Sequence, residues 1–170
     1  RLRELLAALD SIADLRIIFT KSNADTEGRV INQMIDEYVQ EHGDRACAFT
    51  SLGQRRYLSA LHHVDAVVGN SSSGIIEAPA VPVPTVNLGD RQGGRLRAAS
   101  VIDCEEEEAS IRDALDRALS STFQEHIQDV SSPYGDGHAS SRIKETVKEM
   151  PLGERILKKG FYDMDCSKQG

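Results

Sequence analysis

The sequence has 170 residues, of which 39% are hydrophobic and 28% charged, and its formal net charge is −7. This length suits a single domain that can bury a core, and the acidic balance argues against nucleic acid or an acidic membrane as the main partner. No stretch approaches the roughly 18 apolar residues of a membrane span, and no signal-peptide pattern opens the sequence. We therefore expect a cytoplasmic protein with no membrane partner.

The cysteines and histidines lack the spacing of a metal site or a disulfide framework. The three cysteines are far apart and form no C-x-x-C pair, and the five histidines show no ligand spacing. Free thiols of this kind fit a reducing compartment. We expect neither a metal ion nor another cofactor.

Hydrophobic periodicity predicts a regular alternation of helices and strands. The opening helix has its apolar residues on one face: Leu2, Leu5, Leu6, Leu9 and Ile12. Buried strands are predicted at residues 15–20, 47–50, 65–69, 84–88 and 100–104. Helices are predicted at about residues 26–43, 54–63, 74–78, 105–119 and 139–150. Because the sequence begins inside a helical pattern without a methionine, we interpret it as a piece of a longer protein.

The same periodicity predicts which helix faces are buried. Tyr57, Leu58 and Leu61 are expected to face the core, as are Ile143 and Val147 near the end of the sequence. The acidic run at residues 105–108 is expected to begin a long helix, where negative charge suits the N-terminal dipole.

Strands that alternate with helices through short loops predict βαβ units and a parallel sheet with helices on both faces. Ligands of such sheets bind beyond the carboxyl ends of the strands. Four polar or glycine-containing loops are expected at that edge, at residues 21–25, 51–53, 70–74 and 89–97. Four such loops at one edge of the sheet are better evidence for a binding site than any single loop.

Residues 65–79 (DAVVGNSSSGIIEAP) predict a strand, a serine loop and a short helix that Pro79 ends. Backbone N–H groups and serine hydroxyls at such a helix start can bind phosphate. Gly74 would let an anion approach the backbone closely. Glu77, one turn further, could accept hydrogen bonds from sugar hydroxyls. An ordinary serine-rich N-cap explains the pattern equally well on its own.

The loop at residues 89–97 (GDRQGGRLR) places three arginines in an acidic protein. The planar guanidinium suits phosphate or carboxylate, although a surface patch that balances nearby acids is the alternative. We assign Arg91 to the ligand, and Arg95 and Arg97 to loop positioning or acid pairing. The Tyr57 ring could meet a base edge, but its spacing is more typical of a core residue.

Four stretches together resemble one family: SNAD at residues 22–25, VGNSSSGIIEAP at 68–79, VNLGDRQGGRLRAASVIDC at 86–104 and YGDGHA at 134–139. They are similar to the C-terminal domain of the hydrolysing UDP-N-acetylglucosamine 2-epimerases of the sialic-acid type. The resemblance implies a Rossmann-like three-layer α/β domain, the C-terminal half of a glycosyltransferase-B fold. It also implies that residues 1–150 bind UDP and that the tail at 151–170 packs on an N-terminal domain.

The resemblance further implies seven residues around the UDP moiety: Asn23, Leu52, Tyr57, Ser71, Ser72, Glu77 and Arg91. The first three would lie by the uridine, and Glu77 would bind the ribose hydroxyls. Ser71 and Ser72 would hold the diphosphate, with Arg91 close to it. Ser73 and Gly74 are weaker candidates for the same place.

The implied reaction of the whole enzyme abstracts a proton from sugar carbon 2, eliminates UDP to give a glycal, and adds water to yield N-acetylmannosamine. The proton-transfer residues of the family lie in the N-terminal domain, so no catalytic residue is expected in this chain. The expected partners are the UDP-sugar, that domain and, in the full enzyme, a second copy. Two alternatives stay open: a hydrolysing epimerase for a UDP-diacetamido-trideoxyhexose, and a non-catalytic nucleotide-binding module.

Overall fold

A computed structural model of the chain describes residues 1–22, 26–151 and 153. The chain divides into two units, Arg1–Tyr134 and Gly135–Gly170. The described strands are β1 (Ile17–Thr20), β2 (Ala46–Phe49), β3 (Val67–Gly69), β4 (Thr85–Leu88) and β5 (Val101–Cys104). The described helices are α1 (Leu2–Asp10), α2 (Thr26–Glu41), α3 (Gly53–Leu61), α4 (Ser72–Ile76), α5 (Glu108–Leu119), α6 (Ser121–His126) and α7 (Ala139–Glu149). A 3₁₀ turn follows α4 at Ala78–Ala80.

All the described strand pairs are parallel. β1 pairs with β2, and β3, β4 and β5 form a three-stranded sheet in that order. In this sheet Gly69 is opposite Asn87, and Leu88 is opposite Cys104. The carboxyl ends of β3 and β4 are therefore neighbours, which places the serine loop (residues 70–74) beside the arginine loop (residues 89–97).

β4 is the centre of the main sheet, and all four of its residues are buried. Val86 and Leu88 belong to a core that includes Leu9 of α1 and Ile111 of α5. A second core, built on Leu61, Ala78 and Val83, includes residues of α3 and the 3₁₀ turn. Two helical layers thus enclose the three-stranded sheet, which confirms the predicted three-layer α/β fold. The prediction of one sheet is wrong in detail, because the described strands form two parallel sheets.

The β1–β2 pair is less buried than its apolar sequence predicts. Ile17 and Phe19 pack against the main core, and the Phe19 ring meets the Tyr38 ring of α2 edge to face at 5.6 Å. On the opposite face Ile18 is 49% exposed and Phe49 is 44% exposed. The prediction of fully buried strands is therefore wrong here, because only one face of this pair is covered.

Three details of the helices also differ from the prediction. Leu58 of α3 is exposed, while Leu61 is buried and Tyr57 is half-buried. α5 begins at Glu108, so only this residue of the acidic run lies in the first turn. α6 was not predicted, since its six residues are too few to show a helical period; the Ser120 side chain caps it by accepting from the Phe123 N–H.

The second unit contains α7. Before the helix, the Asp136 carboxylate accepts from the His138 N–H and from both terminal nitrogens of Arg142. These bonds, the Arg142 pair first, hold the pKa of Asp136 below its usual value. Ile143 and Val147 are more than 60% exposed, so the prediction that they face inward is wrong.

The predicted tail lies almost wholly outside the described residues, which include only 151 and 153 of it. Within the described part of the chain, no helix is long and apolar enough to cross a membrane.

Candidate functional site

The serine loop begins where β3 ends. Gly69 has a φ of 149°, and two residues later Ser71 forms the N-cap of α4, its Oγ accepting from the Ser73 N–H at 3.3 Å. The cap is therefore real, but α4 starts two residues before the predicted position. Pro79 lies within the following 3₁₀ turn and does not end α4. Because α4 has five residues, its dipole is small, and individual donors must carry any anion binding.

A chain of hydrogen bonds runs through the serine loop. The Tyr57 hydroxyl donates to Ser73 Oγ at 2.9 Å, and Ser73 Oγ lies 3.2 Å from Ser71 Oγ. Ser71 Oγ thus accepts from both the backbone and the side chain of Ser73. A hydroxyl has two acceptor positions and one proton, so the Ser71 proton is left to donate outward. Ser71 and Ser72 are both exposed.

Tyr57 meets the serine loop through its hydroxyl. Burial raises its pKa, the nearby Glu77 carboxylate raises it further, and the bond with Ser73 offsets part of the rise. The phenol therefore keeps its proton and remains the donor at the start of the chain. Glu77, which is half-buried, forms the C-cap of α4. Ser71 and Ser72 at the start of this short helix and Glu77 at its end are therefore close in the structure.

Gly74 has a packing role that the sequence did not predict. It is buried inside α4, and a Cβ at this position would lie 2.8 Å from Thr85 Cγ2 on β4. The absent side chain lets α4 pack closely on the sheet. Close approach of an anion is not needed to explain this glycine.

The arginine loop contacts the serine loop at Asn70. Arg91 Nη1 lies 3.3 Å from the Asn70 carbonyl oxygen and 3.4 Å from its Oδ1, and Gln92 Nε2 donates to the same carbonyl oxygen at 2.8 Å. The structure thus brings Arg91, which is exposed, against Asn70, the residue before Ser71. Gln92 was not predicted to matter, because a glutamine in a polar loop carries no sequence signal of burial.

Arg97 supports this loop, as predicted. Its Nε is 3.2 Å from both carboxylate oxygens of Asp103, and its Nη1 donates to the carbonyl oxygens of Gln92 and Arg95. Arg97 is therefore directed to β5 and to its own loop, Arg95 is exposed, and Arg91 contacts the serine loop at Asn70.

The predicted uridine contacts are less complete. Asn23 lies outside the described residues, and Leu52 is half-buried at the start of α3. The structure therefore groups Tyr57, Ser71, Ser73, Glu77 and Arg91 at one edge of the sheet. Of the three residues predicted beside the uridine, Tyr57 is thus the one that the structure links to the serine loop.

A cavity of about 630 Å³ lies beside the start of the arginine loop, lined by Asp90, Asp103, Glu105 and Glu106 among others. Its acidic lining disfavours an anion such as diphosphate. Cys104 also lines it; burial, then Asp103 and Glu105, raise the pKa of this thiol to about 11. Within the described residues, no cluster of three or more His, Cys, Asp or Glu could hold a metal ion.

A parallel sheet enclosed by two helical layers, with polar loops at the carboxyl ends of its strands, defines a Rossmann-like α/β domain. The chain belongs to the UDP-N-acetylglucosamine 2-epimerase family, whose profile matches residues 1–148.

Named proteins with similar sequences support this family membership. The chain is 36% identical over 163 residues to the GDP/UDP-N,N'-diacetylbacillosamine 2-epimerase (hydrolyzing) of Campylobacter jejuni, covering 96% of this chain and 42% of that protein. It is 33% identical to the polysialic acid biosynthesis protein P7 of Escherichia coli, covering 96% and 42%. A UDP-N-acetylglucosamine 2-epimerase of Neisseria meningitidis is 34% identical, covering 87% and 38%. The chain thus spans about two fifths of the length of these relatives.

Solved structures show the same fold at low sequence identity. A crystal structure of a UDP-N-acetylglucosamine 2-epimerase matches with a TM-score of 0.62 and 18% identity, over 88% of this chain and 40% of that one. A Listeria monocytogenes protein matches with a TM-score of 0.68 and 18% identity, over 86% and 40%. The chain has the fold of one Rossmann-like half of a glycosyltransferase-B architecture.

Proposed function

We propose that this chain binds the UDP part of a UDP-sugar within a hydrolysing 2-epimerase. The observation that carries the proposal is the junction at Asn70, where the exposed Arg91 meets the serine loop in a chain of this family. A guanidinium and serine hydroxyls at one sheet edge form a donor set suited to a diphosphate. Arg91 would supply the charged donor, and Ser71 would add a hydroxyl whose proton is free to donate outward.

The proposed role in the reaction is to stabilise the leaving group. Elimination of UDP places negative charge on the diphosphate, and donors aimed at that charge lower the barrier if they bind it more strongly in the transition state. Ser71, Ser72 and Arg91 would supply these donors. Glu77 would accept from the ribose hydroxyls, while Tyr57, Leu52 and Asn23 would lie towards the uracil.

The rest of the chemistry belongs to the N-terminal half of the enzyme in this proposal. That half would provide the groups that remove the carbon-2 proton and would complete the homo-oligomer. The 170 residues alone would then bind UDP without turnover, and the full enzyme would act in the cytoplasm.

The sugar is proposed to be N-acetylglucosamine, with N-acetylmannosamine as the product for sialic acid synthesis. A diacetamido sugar is the second candidate, because two relatives at 36% identity are named N,N'-diacetylbacillosamine 2-epimerases. The name of one relative includes GDP as well as UDP, so the base is tested alongside the phosphate.

Calorimetric titration of the chain with UDP, GDP and uridine tests the proposal. We expect UDP to bind more tightly than uridine or GDP, and Ser71→Ala and Arg91→Ala each to weaken UDP binding about 10-fold, the effect of one charge-assisted hydrogen bond. Arg112→Ala is the matched control, since Arg112 is an exposed arginine paired with Asp116 on α5. Equal UDP affinity in all four proteins would contradict the site assignment.

A further inference from the structure

Gln92 joins the two loops of the proposed diphosphate site. Its side chain is buried, with 4% of the residue exposed, and its Nε2 donates to the Asn70 carbonyl oxygen at 2.8 Å across 22 positions of the sequence. This is the shortest of the hydrogen bonds from the arginine loop to Asn70.

The carbonyl group that Gln92 holds belongs to the peptide between Asn70 and Ser71. This unit is planar and trans, so its N–H points opposite to its C=O. By fixing the Asn70 oxygen, Gln92 therefore fixes the direction of the Ser71 N–H and the point from which the serine loop starts.

Gln92 also makes Arg91 easier to move. The two contacts of Arg91 with Asn70 are long, at 3.3 and 3.4 Å, and therefore weak. If Arg91 turns towards an anion, the Asn70 carbonyl oxygen keeps its short bond from Gln92. The departure of Arg91 then costs only its long contact with Oδ1 of the half-buried Asn70 side chain, and the carbonyl oxygen stays paired.

The other end of the Gln92 amide shows why the donor matters. Its Oε1 is buried and has no hydrogen-bond partner within the described part of the chain. An unpaired buried acceptor costs free energy that an apolar side chain of similar size would not. The glutamine thus lowers the stability of the folded state through its oxygen, and the feature that distinguishes it from an apolar residue here is the Nε2 donor to Asn70.

The backbone of Gln92 is held from outside the site. Arg97 Nη1 donates to the Gln92 carbonyl oxygen at 2.9 Å, and Arg97 is itself fixed by Asp103 on β5. A continuous path of hydrogen bonds therefore runs from β5 to the peptide before Ser71.

We propose that Gln92 is a positioning residue of the diphosphate site, which orients the peptide preceding Ser71 and releases Arg91 to the ligand. This inference rests on the proposed function, because its ligand is the diphosphate of UDP.

Gln92→Met tests the proposal, since methionine has a similar volume and cannot donate. In titrations of the 170-residue chain we expect this variant to bind UDP about 10-fold more weakly and uridine as well as wild type does. Arg91→Ala should cost less in the Gln92→Met background than in wild type, because the two residues act on one carbonyl group. Ser100→Ala is the control: Ser100 is 1% exposed and also has an unpaired buried oxygen, but it does not contact Asn70.

The outcomes separate this inference from the proposed function. If wild type binds UDP no better than uridine, the proposed function fails. If wild type prefers UDP but Gln92→Met binds UDP unchanged, or loses UDP and uridine equally, only the role of Gln92 is overturned. Should the methionine variant not fold, Gln92→Asn keeps the amide but is one methylene too short for the 2.8 Å bond, and the same loss is expected.

Discussion

Ser71 shows how a single hydroxyl proton becomes available. Its oxygen takes two hydrogen bonds from Ser73, and Ser73 in turn takes one from Tyr57. Each hydrogen bond that a hydroxyl in this series accepts limits the directions in which its own proton can point. The direction of the Ser71 proton is therefore set by a phenol 14 positions earlier in the sequence, and the hydroxyl is prepared for an acceptor such as a phosphate oxygen.

Tyr57→Phe removes the first donor of this chain and keeps the ring. We expect UDP affinity to fall about 3- to 10-fold, because Ser73 and Ser71 lose their fixed donor direction, while uridine affinity stays the same. Calorimetry with both ligands measures the difference. Tyr38→Phe is the control for loss of a tyrosine hydroxyl outside the serine loop. A loss that is equal for UDP and uridine would place the action of Tyr57 at the base instead.

Individual site residues were predictable only where their chemistry is visible in the sequence. Three consecutive serines after a strand and an arginine in an acidic protein could be assigned to a phosphate from residue type and position alone. Gln92 and the hydroxyl of Tyr57 could not. Their roles depend on which atoms meet across 22 and 16 positions, and a polar loop or a helical period gives no information about that.

α4 illustrates the packing of a whole element. It lies against β3 and β4 with Gly74 and Ile75 buried, and the Gly74 position has no room for a side chain beside Thr85. Gly74 therefore sets how closely the helix that follows the serine loop can approach the sheet. The geometry of the loop thus depends on a packing contact on the far side of the helix.

Gly74→Ala should destabilise the protein. The new methyl would sit 2.8 Å from the methyl of a buried threonine, and overpacking of about 1–3 kcal/mol exceeds the roughly 1 kcal/mol that alanine gains over glycine in a helix. Urea unfolding monitored by circular dichroism gives the change in free energy. Thr85→Ser removes the opposing methyl, so the double variant should recover part of the loss. A Gly74→Ala protein as stable as wild type would show that α4 can shift freely.

Elements with a strong hydrophobic period were predicted well, and their ends less so. α2, predicted at about residues 26–43, spans Thr26–Glu41, and β4 begins one residue later than expected. Period alone does not show how many faces of a strand are covered, which is why the exposure of Ile18 and Phe49 was missed. The segments that pack on a strand decide whether one or both of its faces are covered. An apolar strand can have the same sequence pattern in both situations.

At the scale of the first unit, a polar cluster joins three of its segments. The Tyr38 hydroxyl of α2 donates to Asp10 of α1 at 2.7 Å, and Arg45, just before β2, donates to both. The His42 ring stacks on Tyr38 at 4.2 Å. Burial, and then the hydrogen bond to Asp10 and the charge of that carboxylate, raise the pKa of Tyr38 to about 12, although Arg45 acts in the opposite direction.

This pKa predicts a loss of stability in alkaline solution. Between pH 10 and pH 12 the unfolded tyrosine ionises while the folded one keeps its proton, so stability falls as the pH rises through this window. Tyr38→Phe removes the titrating group. We expect it to be less stable than wild type at pH 8, where the hydrogen bonds are lost, and the gap to narrow by pH 12. Unfolding by urea across this range measures the gap, with Tyr134→Phe as the control; a gap independent of pH would contradict the assignment.

The adjacency of β3 and β4 bears on how the molecule reaches its native state. The bond from Gln92 to Asn70 closes a loop of only 22 positions, and the strands beneath it are consecutive in the chain. Closing a short loop costs little chain entropy, and contacts of low sequence separation form quickly. The contacts that join the two loops of the proposed diphosphate site can therefore form early in folding, because they lie within one contiguous stretch of polypeptide.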